Sequence, residues 1–302
     1  MFGANVGLFL TVIAWGSTAP VINELLKEMD PLVLSAARYI FTSVIFIIWL
    51  KIAEGKIGSL VDMPWKPAMI LGGIMCAFIM LFTWAIHFSN PISVSIIVAA
   101  GPVAASLVDR MVTGRRPQKA VFMALPLAVL GGLIASVDFQ SILSGGDIFR
   151  FEGGEALMIV GVFLWPLYST LIQRWFEGMS QLRRTAITFV AATPMIVCIA
   201  GVFVLLGLES LPKGNFDTKY IMYFVWSSLA TSILGTYLWN IGVQRLGIVI
   251  ATMFLNLIPV VAVLVSMMFG LEPRMEQLLG GVLVIIAVVQ AQLRTLVFNK
   301  NK

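Results

Sequence analysis

Charge is scarce in this sequence. Lysine and arginine number 20 and aspartate and glutamate 15 in 302 residues, 12% together, about half the share in an average soluble domain. The acidic residues also avoid the middle of every apolar run, and the nearest, Glu24 and Asp109, fall at run ends. That leaves no carboxylate pair and no nucleophile–base set for a membrane-embedded transferase or protease. His87 is the single histidine, which excludes a histidine-rich metal centre. No GxxxxGK[ST] run is present to cradle ATP phosphates, so direct ATP-driven pumping is excluded. The two cysteines, Cys76 and Cys198, each lie inside an apolar segment and read as small buried hydrophobes, silent on redox compartment. The expectation is a protein that is not an enzyme and has neither metal nor cofactor.

What is abundant is apolar surface. Hydrophobic residues make up 59% of the chain, spread evenly from end to end, and no polar gap is long enough for an aqueous domain. About 20 apolar residues span a bilayer as a helix. Ten such segments can be drawn, at 3–23, 32–53, 67–88, 91–110, 119–137, 154–174, 183–207, 218–241, 246–269 and 275–297. The N-terminal "MFGANVGLFLTVIAW" has no basic residue before its apolar run, so it reads as a retained first span rather than a cleaved signal. With the N-terminus inside, fourteen Lys and Arg fall on the cytoplasmic side and five, Lys27, Arg150, Lys213, Lys219 and Arg274, on the outer side. This is the positive-inside asymmetry. It places both termini and the Arg115–Arg116 turn in the cytoplasm, with the loops at Lys27 and Gly145 outside. The net charge of +5 then records topology, and no nucleic-acid partner is expected.

The chain builds its elements twice. Gly101 and Pro102 sit midway along the fourth segment, and Pro259 sits midway along the ninth, 157 positions after Pro102; the same offset carries Lys119 onto Glu276. "AWGSTAPVI" from Ala14 meets "LWPLYSTLI" from Leu164 at an offset of 150, pairing Trp15 with Trp165, and Trp84 pairs with Trp239 at 155. Each copy holds five segments, 1–150 and 151–302, and an odd number forces the second to enter the membrane inverted. The fold class expected is therefore an all-α integral membrane protein of ten transmembrane helices in two inverted five-helix repeats. Inverted repeats are typical of secondary transporters, whose substrate site lies near the midplane between the repeats.

On these residues, together with "SAARYIFTS" around Arg38 and "LNLIPVVAVLVSMMFGLEPRMEQLLGGVLVIIAVV" from Leu255, the chain resembles the EamA-type members of the drug/metabolite transporter superfamily. It departs from them at "TGRRPQ" and at Pro166, which stands where the first copy has Gly16. The resemblance implies ten spans in two halves, a multi-pass monomer in the bacterial inner membrane, and alternating-access export of small metabolites. Within it, the YddG-type branch implies amino acids, aromatic ones included. Other solutes, such as nucleotide sugars or drug-like compounds, and a non-transporting membrane scaffold remain alternatives; the first of these needs Lys or Arg in the cavity, and the central spans offer none.

The proline breaks each free a carbonyl near the midplane, which in hydrocarbon must find protein or cavity water. Trp15, Ser17 and Thr18, with Trp165, Tyr168 and Ser169, are the paired polar and aromatic clusters nearest the centre, and either line a cavity or pack. Asn256 offers an amide for a substrate or for a neighbouring helix. Trp84 and Trp239 are candidates for lids at opposite mouths, with His87 one turn beyond Trp84; belt and solvated positions are the alternatives. Arg38, shallow in the second span, snorkels, pairs with a carbonyl or contacts the substrate; an arginine here recurs in the family it resembles, which does not separate an anchor from a substrate contact. The cavity is expected mainly from spans one, three, four, six, eight and nine, with five and ten peripheral. Without a central titratable group, the expected mode is uncoupled facilitation.

Overall fold

The computed structural model describes residues 2–55, 64–114, 126–127, 130–131, 134, 144, 152–212, 214, 216–246, 251 and 254–300. Apart from isolated positions, the fifth expected span lies outside these residues, as do the Arg115–Arg116 turn, the Gly145 loop and the 150/151 boundary between the halves. Every described element is helical. In chain order they are α1 (Phe2–Gly16), α2 (Thr18–Leu25), α3 (Pro31–Glu54), α4 (Trp65–His87), α5 (Pro91–Ala99), α6 (Gly101–Thr113), α7 (Gly154–Trp175), α8 (Gln181–Leu205), α9 (Thr218–Trp226), a π-helical segment (Ser227–Gly235), α10 (Thr236–Leu246), α11 (Ile258–Met268) and α12 (Met275–Lys300).

Six helices among the described residues are long and apolar enough to cross a membrane, counting Gly3–Leu25 and Thr218–Leu246 as one each. The pair α5–α6, bent by 47° at the Gly-Pro break, makes a seventh; α11 and the Met275–Ala287 part of α12 are shorter apolar helices. Within α3 the pattern is inside out relative to a soluble helix. Ile40, Val44, Ile48 and Ile52, at every fourth position, are exposed, while Ser35, Arg38 and Thr42 are buried. Where lipid is the solvent, apolar side chains face outward and polar groups must find partners within the protein. Cys198 also faces outward, unlike buried Cys76, because it lies on the outer face of α8.

α3 and α8 lie side by side and run antiparallel, fastened at both ends. At one end, Glu54 accepts hydrogen bonds from Ser180 Oγ (2.6 Å) and Arg183 Nε (2.8 Å) at the start of α8. At the other, Glu209, just past α8, accepts the N–H groups of Leu32 and Val33 at the start of α3, both at 3.0 Å. Asp30 adds bonds from the Ser210 N–H (2.7 Å) and hydroxyl (3.0 Å). A carboxylate at a helix N-terminus satisfies donors that have no partner within the helix and sits well in the helix dipole. Burial nonetheless pushes the Glu209 carboxyl up, and the two backbone N–H bonds oppose that shift.

Residues 150 positions apart meet one another along this seam. Tyr39 stacks on Phe189 with ring centroids 5.1 Å apart and planes 9° apart. Ser43 Oγ lies 2.7 Å from Thr193 Oγ1. Trp15 meets Trp165 edge to face at 5.1 Å. Residues that touch their own counterparts lie where a two-fold axis would pass. Farther along, the Ser35–Thr83 hydroxyl pair at 3.0 Å is matched by Thr185 and Asn240 at 2.8 Å. That match sets the third element against its counterpart at an offset of 157, the spacing of Pro102 and Pro259, and corrects the 155 read from Trp84 and Trp239. At 155 the counterpart of Thr83 would be Leu238, which has no polar group to bond.

Candidate functional site

The helices are interrupted where they converge. α1 gives way to α2 at Ser17, and the Ala14 carbonyl accepts from both the Ser17 (2.8 Å) and Thr18 (3.0 Å) hydroxyls. Asn256 and Leu257 form a turn just before α11, whose second residue is Pro259. The span Thr218–Leu246 carries a nine-residue π-helical stretch, a rare geometry that often marks functional sites. Gly16 packs against α11 so closely that a Cβ would lie 2.5 Å from Val261 Cβ.

Between these breaks lies a cavity of about 1060 Å³, its mouth included. Aromatic walls dominate it. Trp15, Trp165 and Trp239 all line it, with Trp15 5.1 Å from Trp165 and 5.3 Å from Trp239, and Phe78 5.2 Å from Trp165. The indole nitrogens differ in their partners. Trp15 Nε1 donates to the Thr231 carbonyl at 3.1 Å and Trp239 Nε1 to Ser169 Oγ at 3.4 Å, whereas Trp165 Nε1 has no partner among the described residues. Gly235 makes room for Trp15, since a Cβ there would stand 2.6 Å from its indole nitrogen.

The candidates from the sequence separate on this geometry. Trp15, Thr18, Trp165, Ser169, Trp239 and Gly101 line the cavity. Ser17 is buried outside it and accepts from Trp226 Nε1 at 2.9 Å. Tyr168 lies behind the wall, its hydroxyl 3.1 Å from Thr188 Oγ1. Asn256 is buried beside Leu255, which does reach the cavity. Pro102 and Pro259 shape the backbone without lining it, although Ile258 does. Trp239, expected at the inner mouth, stands instead in the cavity wall, because the offset of 157 makes it the counterpart of Phe82, also a wall residue. Trp84 packs on Phe203 at 5.7 Å, and His87 is exposed at the end of α4 against Phe88.

One expectation needs correction, that the central spans offer the cavity no Lys or Arg. Spans two and seven add Arg38, Tyr39 and Phe189 to a lining drawn mainly from spans one, three, four, six, eight and nine. The central spans therefore do supply a cation, since Arg38 is only 2% exposed and does not snorkel. It points across to the second half, where Nη2 donates to the Ser227 carbonyl at 2.8 Å and reaches Ser232 Oγ at 3.1 Å and Thr231 Oγ1 at 3.4 Å. The sequence carries a signal for this in "SSLATS", Ser227 to Ser232, which sets hydroxyls four and five positions apart inside an apolar span. Its meaning depends on Arg38 lying opposite.

Comparison with known proteins places this geometry among membrane transporters. A sequence model described as the EamA-like transporter family matches residues 3–137 and again 153–291. The uncharacterized transporter YyaM of Bacillus subtilis is 25% identical over 278 residues, 91% of this chain and 89% of its own length. The uncharacterized inner membrane transporter YedA of Escherichia coli K12 is 24% identical, over 96% of this chain and 90% of YedA. A probable terminal-alkyne amino-acid exporter of Streptantibioticus cattleyicolor is 26% identical over 96% of this chain and 93% of its own. One solved crystal structure superposes with a TM-score of 0.67 and 17% identity, covering 96% of each chain, which shows a shared fold.

Proposed function

The chain belongs to the EamA-like transporter family, and from that premise we propose that it exports amino acids, aromatic ones included, through ten spans arranged as two inverted five-helix repeats. Membership makes it a multi-pass membrane transporter of small molecules rather than an enzyme. The observation that carries the substrate reading is the aromatic cavity between the two halves, walled by Trp15, Trp165 and Trp239, with Arg38 the one charged lining residue among those described. Indole faces accept both flat apolar side chains and ammonium groups. The antiparallel α3 and α8 and the touching residue pairs support inversion, and with it exchange of access between the two sides. Both termini in the cytoplasm and a bacterial inner membrane complete the reading.

Among the described residues the cavity lining holds no Asp, Glu or His, which supports an uncoupled carrier that moves its solute down the solute's own gradient. Purified protein in liposomes loaded with unlabelled amino acids should give counterflow of radiolabelled amino acid above that of empty liposomes, undiminished by protonophore or sodium-free buffer. His87→Ala should retain it. Flux equal to empty liposomes for every amino acid would end the substrate reading. Accumulation that requires an imposed pH difference and disappears in His87→Ala would instead make His87 a coupling residue.

A further inference from the structure

We infer that Arg38 is the cavity's binding site for a monoanionic carboxylate on the transported solute. The inference deepens the transport reading but does not require the cargo to be an amino acid. It starts from an incomplete set of partners. Arg38 is buried, it lines the cavity, and all three of its hydrogen bonds leave from a single nitrogen, Nη2. Its Nε is buried without a partner among the described residues. No ion pair among the described residues includes Arg38. A buried cation is ordinarily matched by an anion, and no described residue of this cavity wall supplies one.

The groups that do hold Arg38 are neutral dipoles suited to aiming it. The Ser227 carbonyl also accepts from the hydroxyls of Thr231 and Ser232, so three side chains converge on one oxygen at the start of the π-helical stretch. The π geometry allows this by bringing residues four and five positions apart onto one face. With Nη2 fixed there, the guanidinium plane is fixed too, and the Nη1 donors remain for a charge-assisted bond to a carboxylate oxygen. The choice of carboxylate over phosphate follows from charge. Among the described residues Arg38 is the only charged one in the lining, so one unit of negative charge is neutralised and a dianion would leave a surplus in an apolar, aromatic site. The indoles of Trp15 and Trp165 lie in the same cavity to receive the solute's apolar part.

The test compares matched probes on the purified full-length protein. Phenylacetate, phenylacetamide and phenyl phosphate share one ring and differ in head group, and their binding can be followed by intrinsic tryptophan fluorescence. Phenylacetate should bind about tenfold or more tightly than phenylacetamide, the loss expected when a charge-assisted pair is removed. Arg38→Gln should reduce that preference to about twofold, and Arg38→Lys should keep part of it. Equal binding of acid and amide by the wild-type protein would overturn the proposal without any variant having to fold. Tighter binding of phenyl phosphate than of phenylacetate would overturn the choice of carboxylate. A clear acid preference together with no counterflow of any amino acid would sustain the Arg38 site and remove only the amino-acid reading.

Discussion

The two halves contribute counterpart helices to the same seam, yet they treat one position in opposite ways. In the first half it is Arg38, on α3; in the second, 150 positions on, it is Thr188, on α8. Thr188 makes a local bond to Tyr168 and to its own helix backbone. Arg38 reaches across to the π-helical segment. The partners have changed in step, since Ser227, Thr231 and Ser232 have Ile70, Ile74 and Met75 as counterparts at the 157 offset, on a regular α-helix. A near-symmetric frame thus carries an asymmetric polar site, with one buried cation and one set of hydroxyls to hold it. The touching counterparts come from the repeated frame, and the asymmetry gives the cavity its charge.

Making the second half resemble the first should have the largest effect. Thr231→Ile with Ser232→Met copies the α4 residues and strips Arg38 of two of its three acceptors, which should lower stability by about 3 kcal/mol because a buried charge loses partners. Adding Arg38→Thr, the Thr188 residue, should restore most of that stability while transport stays absent. Thermal unfolding in detergent beside counterflow reads both, and a triple variant no more stable than the double would show that Arg38 is not what the hydroxyls serve.

The two counterpart tryptophans should part company next. Trp165→Ala should cut transport by about tenfold with little change in stability, since its indole N–H bonds nothing among the described residues. Trp15→Ala should cost about 1 kcal/mol more in stability, because it also gives up the bond to the Thr231 carbonyl. Equal transport by Trp165→Ala and wild type would reduce the pair to packing.

A smaller effect is expected where the halves are alike. Ser43→Ala and Thr193→Val should each cost less than about 1.5 kcal/mol, and the double variant should cost less than their sum by about 0.5 kcal/mol or more, because the two hydroxyls are partners at 2.7 Å. Strict additivity would separate them.

The smallest contrast is between the end clamps. Burial raises the Glu209 carboxyl, so the folded protein binds that proton more readily than the unfolded chain does. Its contribution is then most favourable below the unfolded carboxyl value of about 4.3 and declines as pH rises from there through the raised native value. Glu209→Gln should flatten this part of the stability–pH curve by a fraction of a kcal/mol, the offset from the Leu32 and Val33 N–H groups keeping it small. A wild-type curve that rises with pH and falls to the variant's on acidification would mean that the two N–H bonds outweigh burial.

Composition and spacing were enough to read a membrane protein in two copies. Lipid demands about 20 apolar residues per crossing, so apolar runs show in the sequence directly, and the breaks at Gly101–Pro102 and Pro259 announce themselves through proline's missing N–H. Trp15 and Trp165 were legible as a pair because their surroundings repeat. The third-element register was not, since Trp84 and Trp239 are alike in type but belong to different faces, and only the Ser35–Thr83 and Thr185–Asn240 bonds distinguish 155 from 157.

Arg38 marks where sequence alone gives out. Shallow in its span, it has a stem long enough to reach water, and every local signal permits that. Its burial was decided by what α3 lies against, a serine- and threonine-rich stretch 189 to 194 positions away. The sequence by itself determined that the chain is built of apolar segments in two copies and where the prolines break them, because each of those is a local or periodic property. Which wall a tryptophan joins, and whether Arg38 reaches lipid headgroups or the hydroxyls of another helix, was decided by the tertiary structure, because a polar group in a membrane takes the nearest partner in space, and nearness across helices is not written along the chain.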